Sequence, residues 1–77
     1  FTLYPNPARN RVTLDLKEKN PENLSLQVVD IRGRKVYQTQ RLTRKTTLKI
    51  TDWFSGVYFL KLLKHGKLVA TKKLIKR

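Results

Sequence analysis

The 77-residue chain contains no cysteine and no methionine, and it has a single histidine, His65. Without cysteine the chain cannot form a disulfide or offer a thiolate, and one histidine does not provide the Cys and His ligands that zinc sites use. We therefore expect no metal site and no cofactor. The redox compartment stays open, because a lack of cysteine fits a reducing cytosol and an exported protein without bridges equally well.

Long apolar runs are also missing. No stretch approaches the ~20 residues that span a bilayer, and no secretory signal sequence is recognisable. The chain begins at Phe1 and not at methionine, so we expect it to be a piece of a longer precursor, with one domain over residues 1–77. A domain of this size buries only about 60–65% of the surface that its unfolded chain exposes, which predicts modest stability.

The residue combinations of an active site are not found either. Ser25 and Ser55 are the only serines, and both are distant in sequence from His65, which is better explained as the polar tip of a turn. The five carboxylates fall in solvent-facing or turn contexts, and the three glycines stand apart from one another. Neither paired-carboxylate catalysis nor a phosphate-binding loop is therefore indicated, and we expect a protein that is not an enzyme.

Acidic residues are scarce, with five Asp and Glu against eighteen Lys and Arg, and the net charge is +13. Residues 1–31 are neutral overall, whereas residues 32–77 carry fourteen basic residues and one acidic residue, Asp52. Such a charge attracts phosphate-bearing polymers or anionic lipid surfaces, and it also keeps a small domain soluble. Nucleic acid is the less favoured partner, because the stacking candidates Tyr58 and Phe59 lie in the most apolar segment, where core packing explains them better.

What the chain does contain is a series of short alternating segments, of which residues 55–63 are the longest apolar one. Its side chains divide between two faces, with Tyr58, Leu60 and Leu62 on one and Val57, Phe59 and Leu63 on the other. This pattern predicts the central strand of a sandwich. Gly56 begins the strand, where we expect a positive φ or a close approach to another backbone.

Six further segments are typical of strands. They are residues 1–4, 11–16, 24–31, 35–40, 46–50 and 67–75. Val12, Leu14 and Leu16 are expected to point inward, as are Leu24, Leu26 and Val28. The apolar pattern then changes face to Val29 and Ile31, which predicts a bulge or burial on both sides. Turns at Gly33 and Gly66 join two hairpins, and residues 17–23 form a loop.

Seven short strands without a helical period predict an all-β antiparallel sandwich or small barrel. Trp53 and Phe54, in the turn before the central strand, either close the end of the sandwich or form an exposed contact patch. Pro5 and Pro7 cannot lie inside a sheet, because each fixes φ and lacks an N–H, so they mark an extended or turning entrance.

Several motifs stand in a fixed order along the chain. They are Tyr4-Pro5-Asn6-Pro7, the hairpin over residues 28–36, Gly56-Val57-Tyr58-Phe59-Leu60-Lys61 and Val69-Ala70-Thr71-Lys72-Lys73-Leu74-Ile75-Lys76. In this order they resemble the C-terminal sorting domain, type A, of the type IX (Por) secretion system of Bacteroidetes. The resemblance covers the whole chain.

The resemblance implies an immunoglobulin-like antiparallel β-sandwich of about seven strands that acts as a signal. In this family the domain takes a cargo protein from the periplasm across the outer membrane. A sortase at the cell surface then usually removes it and joins the cargo to anionic lipopolysaccharide. The implied partners are the translocon, shuttle and sortase proteins, with anionic lipopolysaccharide as a further one. The implied location is the periplasm in transit, then the cell surface or the medium.

The resemblance also assigns site residues. The entrance motif is Pro5, Asn6 and Pro7, and the residues read by the machinery are Gly56, Tyr58, Lys72, Lys73 and Lys76. The residues before the glycine, 52–55, depart from the small residues that are usual in the family. We expect the machinery to read the last hairpin, either by pairing with its edge or by binding its lysines. Two other functions remain open: an adhesion or carbohydrate-binding sandwich of an exported enzyme, and a basic nucleic-acid-binding β-domain.

Overall fold

The computed structural model describes residues 1–18 and 20–77, in which seven strands form two antiparallel sheets. The strands are β1 (Thr2–Tyr4), β2 (Arg11–Asp15), β3 (Leu24–Asp30), β4 (Lys35–Thr39), β5 (Lys45–Lys49), β6 (Gly56–Lys64) and β7 (Lys67–Lys76). A single 3-10 turn, Pro21–Asn23, precedes β3. Among these residues no helix has the length and apolar character needed to cross a membrane.

The strand order identifies the type of sandwich. One sheet has the order β1-β2-β5 and the other the order β4-β3-β6-β7. In immunoglobulin terms, strands A, B and E face strands C′, C, F and G. The structure therefore confirms the predicted immunoglobulin-like sandwich and not a small barrel.

The core lies between the two sheets and is built from alternate residues of both, as expected for packed sheets. The fully buried large side chains are Val12, Leu14, Leu16, Leu26, Val28, Ile50, Leu60 and Leu74. The inward positions predicted for β2, β3 and β6 are confirmed, since Leu24, Tyr58 and Leu62 are buried as well. The alternation of apolar residues in the sequence thus corresponds to one continuous core.

Strand β6 is central, as predicted, and its register aligns both neighbours. It pairs with β3 from Leu24↔Lys64 to Asp30↔Tyr58, and with β7 from Gly56↔Lys76 to Lys64↔Lys67. The face with Leu60 is buried, whereas the face with Phe59 is half-buried. Apart from Val69, where the register of β7 shifts, each residue of β3 and β7 therefore has a fixed partner on β6.

The end of β3 shows one confirmed and one wrong prediction. The pairing of β3 with β4 shifts between Val28 and Val29, and both side chains are buried, which confirms the bulge. Ile31 does not continue the strand and is 68% exposed. The reason is local, because the carboxylate of Asp30 accepts hydrogen bonds from the N–H groups of Arg32 and Arg34, both at 2.9 Å, and so begins a turn.

Two connecting segments were also predicted. The turn between β6 and β7 consists of His65 and Gly66, with φ values of 52° and 78°, which is the positive-φ pair of a type I′ hairpin. The predicted loop over residues 17–23 ends in the 3-10 turn, and it includes Lys19, which lies outside the described residues.

Replacement of Leu60 by alanine should severely destabilise the domain. Leu60 is fully buried in the middle of the central strand, so truncation leaves a cavity and costs about 2–5 kcal/mol, a large share of the stability of a domain this small. Urea unfolding followed by circular dichroism measures the change. The control is Leu68→Ala on β7, where the leucine is 57% exposed. A similar loss of stability in both variants would contradict the assigned core.

Candidate functional site

The entrance segment, residues 5–8, lies against the outer edge of the last strand. The side-chain amide of Asn6 makes two hydrogen bonds there. Its Nδ2 donates to the carbonyl of Lys73 at 2.8 Å, and its Oδ1 accepts from the N–H of Ile75 at 3.0 Å. An amide that donates and accepts in this way takes the place of a neighbouring strand's backbone. The Asn6 side chain makes these hydrogen bonds at a point where the adjacent prolines, Pro5 and Pro7, have no N–H to donate.

Ala8 extends this pairing through its own backbone. Its N–H donates to the carbonyl of Ile75 at 2.9 Å, and its carbonyl accepts from the N–H of Arg77 at 2.8 Å, on both sides of a parallel bridge to Lys76. The sequence predicted a last strand short of partners. Within the described chain, the edge of β7 lacks a backbone partner over residues 67–72, but it is covered from Lys73 onward.

The start of β6 lies at the same end of the sandwich. Gly56 pairs with Lys76, which is bridged in turn to Ala8, so motifs separated by tens of residues meet there. The φ of Gly56 is 151°, and a Cβ placed on it would meet nothing within 4 Å. Of the two reasons predicted for this glycine, the backbone angle is therefore the one that applies.

Tyr58 anchors the turn that precedes β6. It is 6% exposed, and its hydroxyl donates to the carbonyl of Phe54 at 2.7 Å. A tyrosine near the start of strand F that bonds back to the preceding turn is the tyrosine corner of immunoglobulin-like sandwiches. Burial, and secondly the charge of Asp30, raises the pKa of this hydroxyl, which keeps it protonated and able to donate.

Trp53 and Phe54 have different roles, although they are adjacent. The ring of Trp53 packs on Tyr58 with a centroid distance of 5.0 Å and is 6.3 Å from the ring of Tyr37, so Trp53 closes the end of the sandwich. The side chain of Phe54 is 87% exposed. Trp53 thus has the first of the two predicted roles, and Phe54 has the exposure that the second requires.

The three lysines assigned to the terminal strand are not equivalent. Lys76 is 7% exposed, and its Nζ donates to the carbonyl of Arg77 at 2.7 Å. Lys72 and Lys73 are exposed and, as successive residues of a strand, point to opposite faces of the sheet. Lys72 and Lys73 can therefore present charge to a partner, whereas Lys76 is part of the packing.

A cleft of about 560 Å³ opens beside Tyr58, between the turn after β3 and the start of β6. It is lined by Asp30, Ile31, Arg32, Arg34, Lys35, Val36, Phe54, Ser55, Gly56, Val57 and Tyr58. The N–H of Arg34, followed by that of Arg32 and the Arg34 guanidinium at 3.2 Å, holds the pKa of the Asp30 carboxyl below its usual value despite partial desolvation. Asp30 is therefore ionised at neutral pH.

The comparison with protein families decides between the functions left open by the sequence. Residues 2–77 match the family described as the secretion system C-terminal sorting domain. The chain belongs to this family. No curated protein matches it. The sorting domain is thus a signal for type IX secretion, which implies contact with the secretion machinery and export to the cell surface or the medium.

Sequence reasoning located the motifs of the sorting domain but missed their contacts. Asn6 was assigned to an entrance and not to a hydrogen-bonded partner of Lys73 and Ile75. Two features of the sequence could have indicated these contacts. Asn6 carries an amide between two prolines that lack an N–H, and the last strand was predicted to be short of hydrogen-bond partners. The burial of Lys76 had no such signal, because a lysine in a basic strand is normally exposed.

Removal of the Tyr58 hydroxyl should lower the free energy of unfolding of the sorting domain. In Tyr58→Phe the ring stays in the core, but the carbonyl of Phe54 loses its hydrogen bond, which costs about 1–2 kcal/mol. Thermal unfolding measures the change, with Tyr37→Phe as the control, since Tyr37 is 38% exposed. Equal stability of Tyr58→Phe and the wild type would show that the tyrosine corner does not hold this turn.

Acid should destabilise the domain partly through Asp30. Because the pKa of Asp30 is lower in the folded chain than its usual 3.8, the ionised carboxylate stabilises the fold above that value, and this stabilisation is lost as the pH falls through the folded pKa. We expect Asp30→Asn to have a lower melting temperature than the wild type at neutral pH, and the difference to disappear as the pH falls through the folded pKa of Asp30. Asp52→Asn is the control for net charge. A constant gap between Asp30→Asn and the wild type at all pH values would contradict this role.

Proposed function

We propose that residues 1–77 are the C-terminal signal that directs a cargo protein across the outer membrane by type IX secretion. A sortase at the surface then removes the domain and joins the cargo to anionic lipopolysaccharide. The family match over residues 2–77 carries the proposal. It is supported by the meeting of the entrance segment, the start of β6 and the end of β7 at one end of the sandwich. The domain is recognised by its partners and performs no catalysis.

The structure of the entrance favours processing on the cargo side of Pro5. Asn6 and Ala8 are hydrogen-bonded to β7, and Ala8 is 1% exposed. A protease needs an extended and accessible chain, so cleavage at Asn6 or Ala8 would first require this part of the fold to open. We therefore place the processing site near or before Phe1.

We propose that the machinery reads the last hairpin of the sorting domain. Lys72 and Lys73 supply exposed charge, and the open edge over residues 67–72 offers backbone groups to a strand of a partner. Leu68 and Val69, 57% and 55% exposed, add apolar contact on the same stretch. Of the remaining assigned residues, Asn6 is hydrogen-bonded to this strand, and Gly56 and Tyr58 pair with it from β6. Lys76 belongs to the strand, and Pro5 and Pro7 flank Asn6.

Fusion of residues 1–77 to the C-terminus of a periplasmic reporter tests the sorting function. In a type IX-competent bacterium the reporter should appear outside the cell, with the domain removed. In an otherwise identical strain that lacks the translocon, the fusion should stay in the periplasm. The Lys72→Glu/Lys73→Glu variant should reduce export strongly, because it reverses the exposed charge of β7.

The control is Arg41→Glu/Lys49→Glu, which changes the net charge equally at exposed positions outside β7. Melting temperatures of the purified variants separate loss of folding from loss of recognition. Intact wild-type fusion in the periplasm of both hosts would refute the sorting function. Normal export of the folded Lys72→Glu/Lys73→Glu variant would refute recognition through these lysines alone.

A further inference from the structure

We propose that the cleft beside Phe54 binds an acidic peptide segment of a partner protein, with an apolar side chain of that segment packed on the Phe54 ring. This cleft is called the Phe54 cleft below. Binding there is a property of the folded domain and does not depend on the proposed route of export. The Phe54 cleft is a different surface from the open edge of β7. It is lined by the turn between β3 and β4, and in the sheet these strands lie on the other side of β6 from β7.

Exposed apolar surface is concentrated at this cleft. Phe54 is 87% exposed, Ile31 68% and Val36 44%, and all three line it. The fold uses the carbonyl of Phe54, which accepts from Tyr58, but makes little use of its ring. Large apolar side chains grouped on a surface in this way are typical of interaction sites.

The net positive charge of the cleft favours a negatively charged ligand. Arg32, Arg34 and Lys35 line the cleft, and Asp30 is the one acidic residue among its lining residues. The Asp30 carboxylate is already engaged by the N–H groups of Arg32 and Arg34 and by the Arg34 guanidinium. Two positive charges therefore remain in excess, and a complementary partner carries carboxylates around its apolar residue.

Both walls of the cleft are held in place before any ligand binds. On one side, the bond from Tyr58 fixes the backbone of Phe54. On the other, the turn after β3 is closed by the carbonyl of Asp30, which accepts from Gly33, and by the N–H of Asp30, which donates to the carbonyl of Arg34, both at 2.9 Å. A preformed surface loses little conformational entropy on binding, which favours recognition of a short segment.

The shape favours a peptide over a lipid surface. The cleft of about 560 Å³ falls in the range of about 300–1,000 Å³ that is usual for sites which enclose a ligand. An apolar side chain on an extended acidic segment can enter such a concave site, with the flanking carboxylates beside Arg32 and Lys35. A flat anionic membrane would contact the rim but leave the cleft unfilled.

Fluorescence anisotropy with the purified 77-residue chain tests the proposal. The probe is a fluorescein-labelled peptide of about ten residues, with one leucine at the centre of a run of glutamates. The comparison peptide has serine in place of the leucine. We expect the leucine peptide to bind the wild type about fivefold to tenfold more tightly than the serine peptide, because only the former can pack on Phe54.

Two variants locate the binding. Phe54→Ser should remove the preference for leucine, whereas the control Tyr4→Ser, which also removes an exposed aromatic side chain, should keep it. Arg32→Ser/Lys35→Ser should weaken binding of both peptides. Circular dichroism confirms that each variant is folded.

Three results would overturn the proposal. They are no measurable binding of the leucine peptide, equal binding of the two peptides by the wild type, and an unchanged preference in Phe54→Ser. A parallel titration uses vesicles of phosphatidylglycerol and phosphatidylcholine. If Phe54→Ser lost vesicle binding but kept its preference for the leucine peptide, the ring would serve a lipid surface and the assignment to a peptide would be wrong.

Discussion

Burial of the inner face of β6 is the interaction on which the rest of the domain depends. Among the described residues, the hydrophobic core consists of fourteen side chains, and Leu60, at its centre, is fully buried. Strands β3 and β7 are both hydrogen-bonded to β6, so the placement of Leu60 also fixes where Asp30 and Lys76 lie. The geometry of the candidate site thus follows from the register of a single strand, because a shift of one residue would turn every side chain to the other face.

The fold was largely predictable because a period of two marks each buried strand. Every predicted strand end lies within one residue of the observed end. The inward position expected for Ile31 was wrong, since the Asp30 carboxylate accepts hydrogen bonds from the following backbone and ends the strand where the apolar pattern continues. In β7 the apolar residues were a weaker indication of which side chains are buried. Leu68 and Val69 are exposed, next to a register shift between Leu62 and Leu63 and on a strand at the sheet edge.

The site was predictable in its members but not in its contacts. Asn6 and Ile75 are 69 residues apart, and a hydrogen bond between a side chain and a distant backbone leaves no periodic trace in the sequence. The pairing has a physical consequence for recognition. Because β7 pairs with β6 and its end is also held by the entrance, Lys72 and Lys73 have fixed positions only in the folded domain, so the recognition proposed for them requires a folded domain and not a linear tag.

The charge of the domain bears on the same question. A net charge of +13 on 77 residues repels itself and weakens the compact state, and Asp30–Arg34 is the one ion pair between side chains in the described part of the chain. Because the core is small, its burial leaves only a modest net stability after this repulsion is offset. Since Lys72, Lys73, Arg32 and Lys35 are exposed and do not contribute to that core, folding does not explain why they are basic. Exposed charge of one sign keeps a small domain soluble, and binding to acidic partners is the further role that we propose for these four residues.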